Sequence, residues 1–478
     1  MNRVLTLCAF AGLFLGAIPA GNGQDAKGAA APTATTLRHS DLSVYRADDG
    51  TLKPIRTAED WAIRRKQILA GMQEATGPLP PRDKQPAFDI KITEDIRIEG
   101  VRRLTMTIAV DESDRLPLDL YLPKAIADSI DPQKLIEADS TAKLAAMVAL
   151  HPTGPAGKRI VAGEGKAGRQ YGVEMAQRGY VVIAPDYPSF GEYEKYDFAG
   201  DKYISGTMKG IVNHMRCVDL LSAMKFVDAE RIGAIGHSLG GHNAIFLGVF
   251  DERVKVIVSS CGWCPFHDYY GGKIAGWTSD RYMPLLKDKY ELNPDLVPFD
   301  FYELVAALAP RTFVSVSPVE DANFDINGVK KAIPVAGSIY ALLKARSELI
   351  LLTPDCDHNF PTDMRLQSYG VMDRVLKHTP DPFEPDYAAE LPRIPAHEPA
   401  DALSTFQLVD GFEMQQIAAE PLVTDPVAMS FDADGRLFVA EMRDYSEQDK
   451  EALGAIRVLL DTDNDGKFDK SHEFAQRA

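Results

Sequence analysis

The sequence predicts an α/β fold with a mostly parallel sheet, followed by a smaller all-β segment. Three observations carry this expectation. Between 145 and 352, short apolar runs alternate with stretches long enough for crossover helices, the pattern of strands buried on both faces. A Gly236-His237-Ser238-Leu239-Gly240-Gly241 sequence stands where one such run passes into a helix-compatible stretch. Six prolines between 380 and 400 then break the alternation and mark a linker.

Composition narrows the field. Of 478 residues, 45% are hydrophobic and 25% charged, as in packed globular proteins. The formal net charge of −17 opposes nucleic acid, whose phosphates need a basic footprint, and suits a neutral or polymeric substrate. Residues 1–23 read as a signal peptide, with Asn2-Arg3 ahead of an apolar stretch from Val4 to Ile18 and small residues after it. That stretch falls short of the ~20 residues of a membrane span, so a soluble protein, periplasmic or extracellular, is expected. With Cys8 removed, Cys217, Cys261, Cys264 and Cys356 permit two disulfides whose pairing stays open. For Cys261-Gly-Trp-Cys264, a structural bridge or buried thiols fit better than redox chemistry.

In chain order, residues 24–50 read as a flexible leader and 51–379 as the α/β domain. Glu59 to Met72 has a helical apolar pattern (Trp61, Ile63, Ile68, Met72) that ends at Gly77-Pro78. Phe88 to Ile98, Arg103 to Val110 and Leu116 to Leu122 alternate as an antiparallel meander would. The buried strands are expected at Ala145 to Leu150, Tyr180 to Ala184, Arg231 to Ile235, Val254 to Ser259, Thr312 to Val316 and Glu348 to Leu352, with helices at Gly165 to Arg178 and Met208 to Val227. Ligands of such sheets bind at the carboxyl ends of the strands.

Gly-x-Ser-x-Gly between strand and helix makes Ser238 the candidate nucleophile, since small residues either side let the two elements approach. A serine hydroxyl needs a base oriented by an acid. His358 follows the last buried strand and is the candidate base; Asp321 follows the strand before it and is the candidate acid, with Glu320 and Asp325 as alternatives. The oxyanion donors are expected at the N–H of Leu239 and at Thr153 or Gly154, because Pro152 has none. His151 reads as a core residue orienting that loop. Trp263, Phe266, Tyr269, Tyr270 and Trp277 cluster after the fourth buried strand and either line a pocket for sugar rings or aromatic acyl groups, or form a plain packed lid.

With Gly236-His237-Ser238-Leu239-Gly240-Gly241, Ala184-Pro185-Asp186-Tyr187 and Asp357-His358-Asn359-Phe360-Pro361 in view, residues 57–378 resemble the α/β-hydrolase superfamily. More narrowly they resemble secreted bacterial esterases related to acetyl xylan esterases and dienelactone hydrolases, though the latter use cysteine where Ser238 stands. The resemblance implies a cofactor-free serine hydrolase acting on a small-molecule or carbohydrate ester. A prolyl-oligopeptidase-like peptidase and a catalytically silent binding module are the alternatives. Oligomeric state is unknown.

The linker is placed at 380–404. Beyond it, with Phe406-Gln407-Leu408-Val409-Asp410-Gly411-Phe412, Asp425-Pro426-Val427-Ala428-Met429-Ser430-Phe431 and Val439-Ala440-Glu441-Met442 in view, 405–478 resembles the start of a soluble-sugar-dehydrogenase-like β-propeller, with strands expected at Gln415 to Ala418, Val427 to Phe431, Arg436 to Val439 and Ile456 to Leu460. It reads as a truncated domain with no oxidoreductase activity. Asp461, Asp463, Asp465 and Asp469 have the spacing of a calcium loop, with Gly466 at its turn and His472 in place of the closing glutamate.

Overall fold

The computed structural model describes residues 37–98, 100–112, 114–138, 143–165, 168–385, 387, 397–443 and 453–476. Residues 1–36, which include the expected signal peptide and the first part of the expected leader, lie outside the described residues, as does much of the expected linker. The chain divides into two units, Met1–Glu390 and Leu391–Ala478.

The leader expectation fails where the chain is described. Leu42 is buried, His39 bonds Glu303, and β1 (Val44–Arg46) pairs with β2 (Leu52–Pro54). Helix α1 (Ala58–Thr76) starts at a capping box between Thr57 and Asp60 and stops at Gly77, whose φ is 96°. It buries Trp61, Arg64, Ile68 and Met72, whereas Ile63 faces out. An arginine took the expected apolar place because Glu303 pairs with it.

β3 (Lys91–Ile98), β4 (Val101–Ala109) and β5 (Arg115–Leu122) form the expected antiparallel meander. They extend one edge of a sheet ordered β11-β10-β9-β8-β6-β7-β5-β4-β3. Its parallel part comprises β6 (Leu144–Leu150), β7 (Val181–Pro185), β8 (Val227–His237), β9 (Val254–Ser260), β10 (Thr312–Val316) and β11 (Leu349–Leu352). β6 lies between β7 and β8, so the strand order reverses there, where a crevice opens at the carboxyl ends. One apolar core covers each face of the sheet.

The helices are α2 (Tyr171–Gln177), α3 (Gly206–Ala223), α4 (Leu239–Phe250), α5 (Leu285–Asp288), α6 (Phe301–Ala307), α7 (Ile326–Leu342) and α8 (Thr362–Val375). The helix expected from Gly165 to Arg178 is cut to α2, because Gly165 and Gly168 take φ values of 101° and 75° that end helical backbone before it. No described helix is long and apolar enough to cross a membrane. Cys217, Cys261, Cys264 and Cys356 are all free thiols, so the two permitted disulfides are not formed.

In the second unit a short helix α9 (Pro399–Ala402) precedes a four-stranded antiparallel sheet of β12 (Pro426–Phe431), β13 (Leu437–Glu441), β14 (Ala455–Leu460) and β15 (Lys470–Gln476). Gln415 to Ala418 is not a strand: Ile417 instead packs into the small core of Val423, Leu437, Val439, Leu459 and Phe468, and its carbonyl accepts the Phe468 N–H. β15 was hidden by its polar sequence.

Candidate active site

The site begins with the turn from β8 to α4. Ser238 holds φ +55° and ψ −115°, a strained setting for a residue with a side chain. The turn is tight enough that a Cβ on Gly236 would lie 2.1 Å from the Gly240 carbonyl oxygen, and one on Gly240 would lie 1.9 Å from the Leu150 oxygen. Ser238 N–H donates to Ser260 O at 2.8 Å, while Gly241 and His242 donate to Ser238 O. The backbone of neighbouring strand and helix therefore fixes the serine.

His358 lies on the loop after β11. Its Nδ1 is 3.0 and 2.9 Å from the two carboxylate oxygens of Asp321. The Asp321 carboxylate is 1% exposed and also accepts the N–H groups of Asn323 and Phe324. Of the three acids considered, the structure brings only this one to His358. Asp325 caps α7 by accepting the Asn327 N–H, and Glu320 is exposed. The His358 ring is 5.0 Å from the ring of His237 and 6.1 Å from that of Phe324.

Ser238 and His358 face one cavity of about 410 Å³, walled by Thr153, Gly154, Ala156, Ile160, Arg169 and His237 among others. A larger hollow of about 800 Å³ between Gly100 and Phe383 contains no nucleophile and base together. Among the described residues no hydrogen bond joins the Ser238 hydroxyl to His358. The Leu239 peptide follows Ser238 directly, and Thr153 and Gly154 border the same space. His151 is buried behind that loop. Its Nε2 accepts the Tyr187 N–H at 2.9 Å, so Nδ1 carries the proton donated to Pro152 O at 2.7 Å, and burial pushes its pKa down.

The aromatic cluster is largely core. Trp263, Phe266 and Trp277 are at most 3% exposed, and the Trp263 N–H donates to Ser315 Oγ at 2.9 Å. They pack on Phe301 and one another, because a cluster this apolar is drawn beneath the surface. They do not line the cavity. Tyr269 meets Phe324, and Tyr270 is exposed; neither borders the cavity around Ser238. Sequence reasoning missed Arg169 and Ile160 as cavity walls. Nothing in the glycine-rich stretch before α2 pointed to them, whereas His237 was already inside the nucleophile motif.

In the second unit Asp461, Asp463 and Asp465 can each bring one carboxylate oxygen within 4.8 Å of the others. Asp461 already accepts the Asn464 and Gly466 N–H groups. Asp469 turns to the N–H and hydroxyl of Thr462. Three of the four acids thus lie close together, and the fourth is engaged elsewhere.

The fold is α/β-hydrolase-like with a mostly parallel central sheet. The model of the prolyl oligopeptidase family matches residues 170–331, and a domain of unknown function (DUF7133) matches 398–477. The chain is similar to “Putative hydrolase YtaP” of Bacillus subtilis (strain 168), 29% identical over 35% of this chain and 56% of that one. It is also similar to “Carbohydrate esterase MZ0003” of an unknown prokaryotic organism, 24% identical over 36% and 43%. The chain thus spans about half the length of these curated relatives. A solved glucuronoyl esterase from Solibacter usitatus superposes with a TM-score of 0.51 at 18% identity, covering 69% of this chain and 96% of that one, a likeness of fold.

Proposed function

We propose that the protein is a serine hydrolase acting outside the cytoplasm, cleaving carboxylic esters, acetylated carbohydrate among them, through an acyl-enzyme. The observation that carries this reading is the strained Ser238 elbow facing the same cavity as a His358 held by the buried Asp321. Ser238 Oγ attacks the ester carbonyl while His358 Nε2 takes its proton. The oxyanion is held by the N–H of Leu239 and by the Thr153-Gly154 loop. His358 then gives the proton to the departing alkoxide, and water, deprotonated by the same base, releases the acid and restores Ser238. Asp321 keeps the imidazole proton on Nδ1 and stabilises the imidazolium. The names of the carbohydrate esterase and glucuronoyl esterase relatives support the ester class.

The match of residues 170–331 to the prolyl oligopeptidase family favours peptidase activity as the second reading. A fluorophosphonate probe, followed by acetylated xylan, aryl acetates and peptide amides side by side, separates them. Labelling lost in Ser238→Ala and turnover of esters well above amides are expected. Unlabelled folded protein would sink the hydrolase reading, and equal amide turnover would sink the ester assignment.

For 405–478 we infer a blade-like sheet related to propeller domains. It rests on the sequence resemblance and the four-stranded antiparallel order. Solving the structure of the longest natural chain containing this segment checks it: further sheets of the same order around one axis are expected, and a lone sheet would refute it.

A further inference from the structure

Seven lysine and arginine side chains are buried among the described residues. Arg64, Arg103, Lys158, Lys209, Arg216 and Arg365 each lie within ion-pair distance of a carboxylate. Arg169, 3% exposed, is the exception: it has no such partner among the described residues, and Asp357 acts on it only from longer range. One terminal nitrogen donates to Gly168 O at 3.2 Å and Asn359 Oδ1 at 2.8 Å, and the other donates to His358 O at 3.2 Å. All three acceptors are neutral. A guanidinium carries five N–H groups, so these bonds leave two, one of them on Nε.

Taking an uncompensated charge out of water is costly, and burial holds Arg169 below its ordinary range. Yet this cation forms part of the wall of the cavity that contains Ser238 and His358. A bound anion there would supply the charge that the fold supplies to every other buried cation. The planar fork of arginine matches a carboxylate with two parallel hydrogen bonds. Its place is also informative. Arg169 is bonded to the backbone of His358 and the side chain of Asn359, and the base side of such a site is where the leaving alcohol receives its proton.

We infer that the ester cleaved here carries a free carboxylate on its alcohol portion, and that Arg169 is the residue that selects it. This rests on the ester-hydrolase reading above. It departs from the neutral substrate suggested by the −17 net charge, which describes the whole surface and not this cavity.

The test compares 4-acetoxybenzoate with methyl 4-acetoxybenzoate, which share acyl group and ring and differ in the carboxylate. Rates are normalised to hydroxide-catalysed hydrolysis of each. Wild-type protein is expected to favour the anion in kcat/KM, and Arg169→Gln to reduce that ratio on the order of 10- to 100-fold, chiefly through KM. Arg169→Lys, which keeps the charge, should fall between them. If Arg169 only braces the His358 loop, its replacement slows both esters by one factor through kcat and leaves the ratio unchanged, which overturns the inference. A wild-type protein with no preference for the anion overturns it without any variant.

Calorimetric titration of 4-hydroxybenzoate into wild-type, Ser238→Ala and Arg169→Gln proteins separates this inference from the hydrolase reading. Binding that needs Arg169 but not Ser238 supports the carboxylate site even if ester turnover proves independent of Ser238. Turnover that needs Ser238, with binding indifferent to Arg169, removes the inference and leaves the hydrolase.

Discussion

The two sheets of this chain are held in opposite ways. In the larger unit the central strands are covered on both faces, and β6, β7 and β10 are buried almost end to end. In the smaller unit every residue of β12 is exposed, with Val427, Met429 and Phe431 at 57%, 69% and 59%. The difference teaches where chemistry can be placed. Ser238 keeps an unfavourable backbone conformation because closely packed neighbours on three strands and a helix leave it no other. No residue of the smaller sheet is constrained to that degree, and its acidic turn is exposed.

The sharpest way to break this contrast is to change one residue in each unit and measure ester turnover. Asp321→Asn keeps the shape of the acid but removes the charge that fixes the His358 tautomer, and kcat is expected to fall about 10³–10⁴-fold. Met429→Ser, on the exposed face of β12, should leave turnover unchanged. Comparable losses in both would mean that the smaller sheet takes part in catalysis. Stability gives the next largest effect. Trp263→Ala removes a fully buried ring and its hydrogen bond to Ser315, at a cost of about 3–5 kcal/mol in the larger unit. Phe431→Ser should cost about 0.5 kcal/mol or less in the smaller. Urea unfolding of each variant measures both.

Legibility in the sequence followed the same contrast. The buried strands declared themselves because a strand covered on both faces must be apolar throughout. The Gly-x-Ser-x-Gly turn was legible because Gly236 and Gly240 meet backbone atoms that no side chain could tolerate. Asp321 could be placed by chain order, but only the packing of its loop separates it from Asp325, which is needed as a helix cap. Composition could not tell the inside of the aromatic cluster from the outside, so pocket wall and packed lid stayed equally open for Trp263, which is core. Arg169 was invisible because a lone arginine gives no sign of where its partners lie. β15 was missed because a strand at the edge of an exposed sheet has no need of apolar residues.

The smallest expected effect concerns Asp300. It is buried at the start of α6, where its carboxyl accepts the Phe266 and Phe301 N–H groups, and burial pushes its pKa up to about 7 from an ordinary 3.8. Between roughly pH 4 and 7 the folded state therefore holds a proton on Asp300 that the unfolded chain has released, and the contribution of Asp300 to stability falls as pH rises through that window. The nearby His39, whose pKa is also raised by Glu303 despite its burial, contributes in the same direction. Acids held by hydrogen bonds near the surface run the other way in both units, as Asp89 and Asp95 do in the larger through Arg115 and Arg102. The hydrogen bond from Arg436 lowers Asp432, and that from Thr462 lowers Asp469, so they favour folding as pH rises. Asp300→Asn retains an oxygen acceptor for both N–H groups and has no proton to lose. The melting temperature of the larger unit should thus decline less steeply between pH 4.5 and 7 in this variant than in the wild type, by about a few degrees over the window. Parallel curves would show that Asp300 is ionised in the fold and that its two N–H partners outweigh its burial.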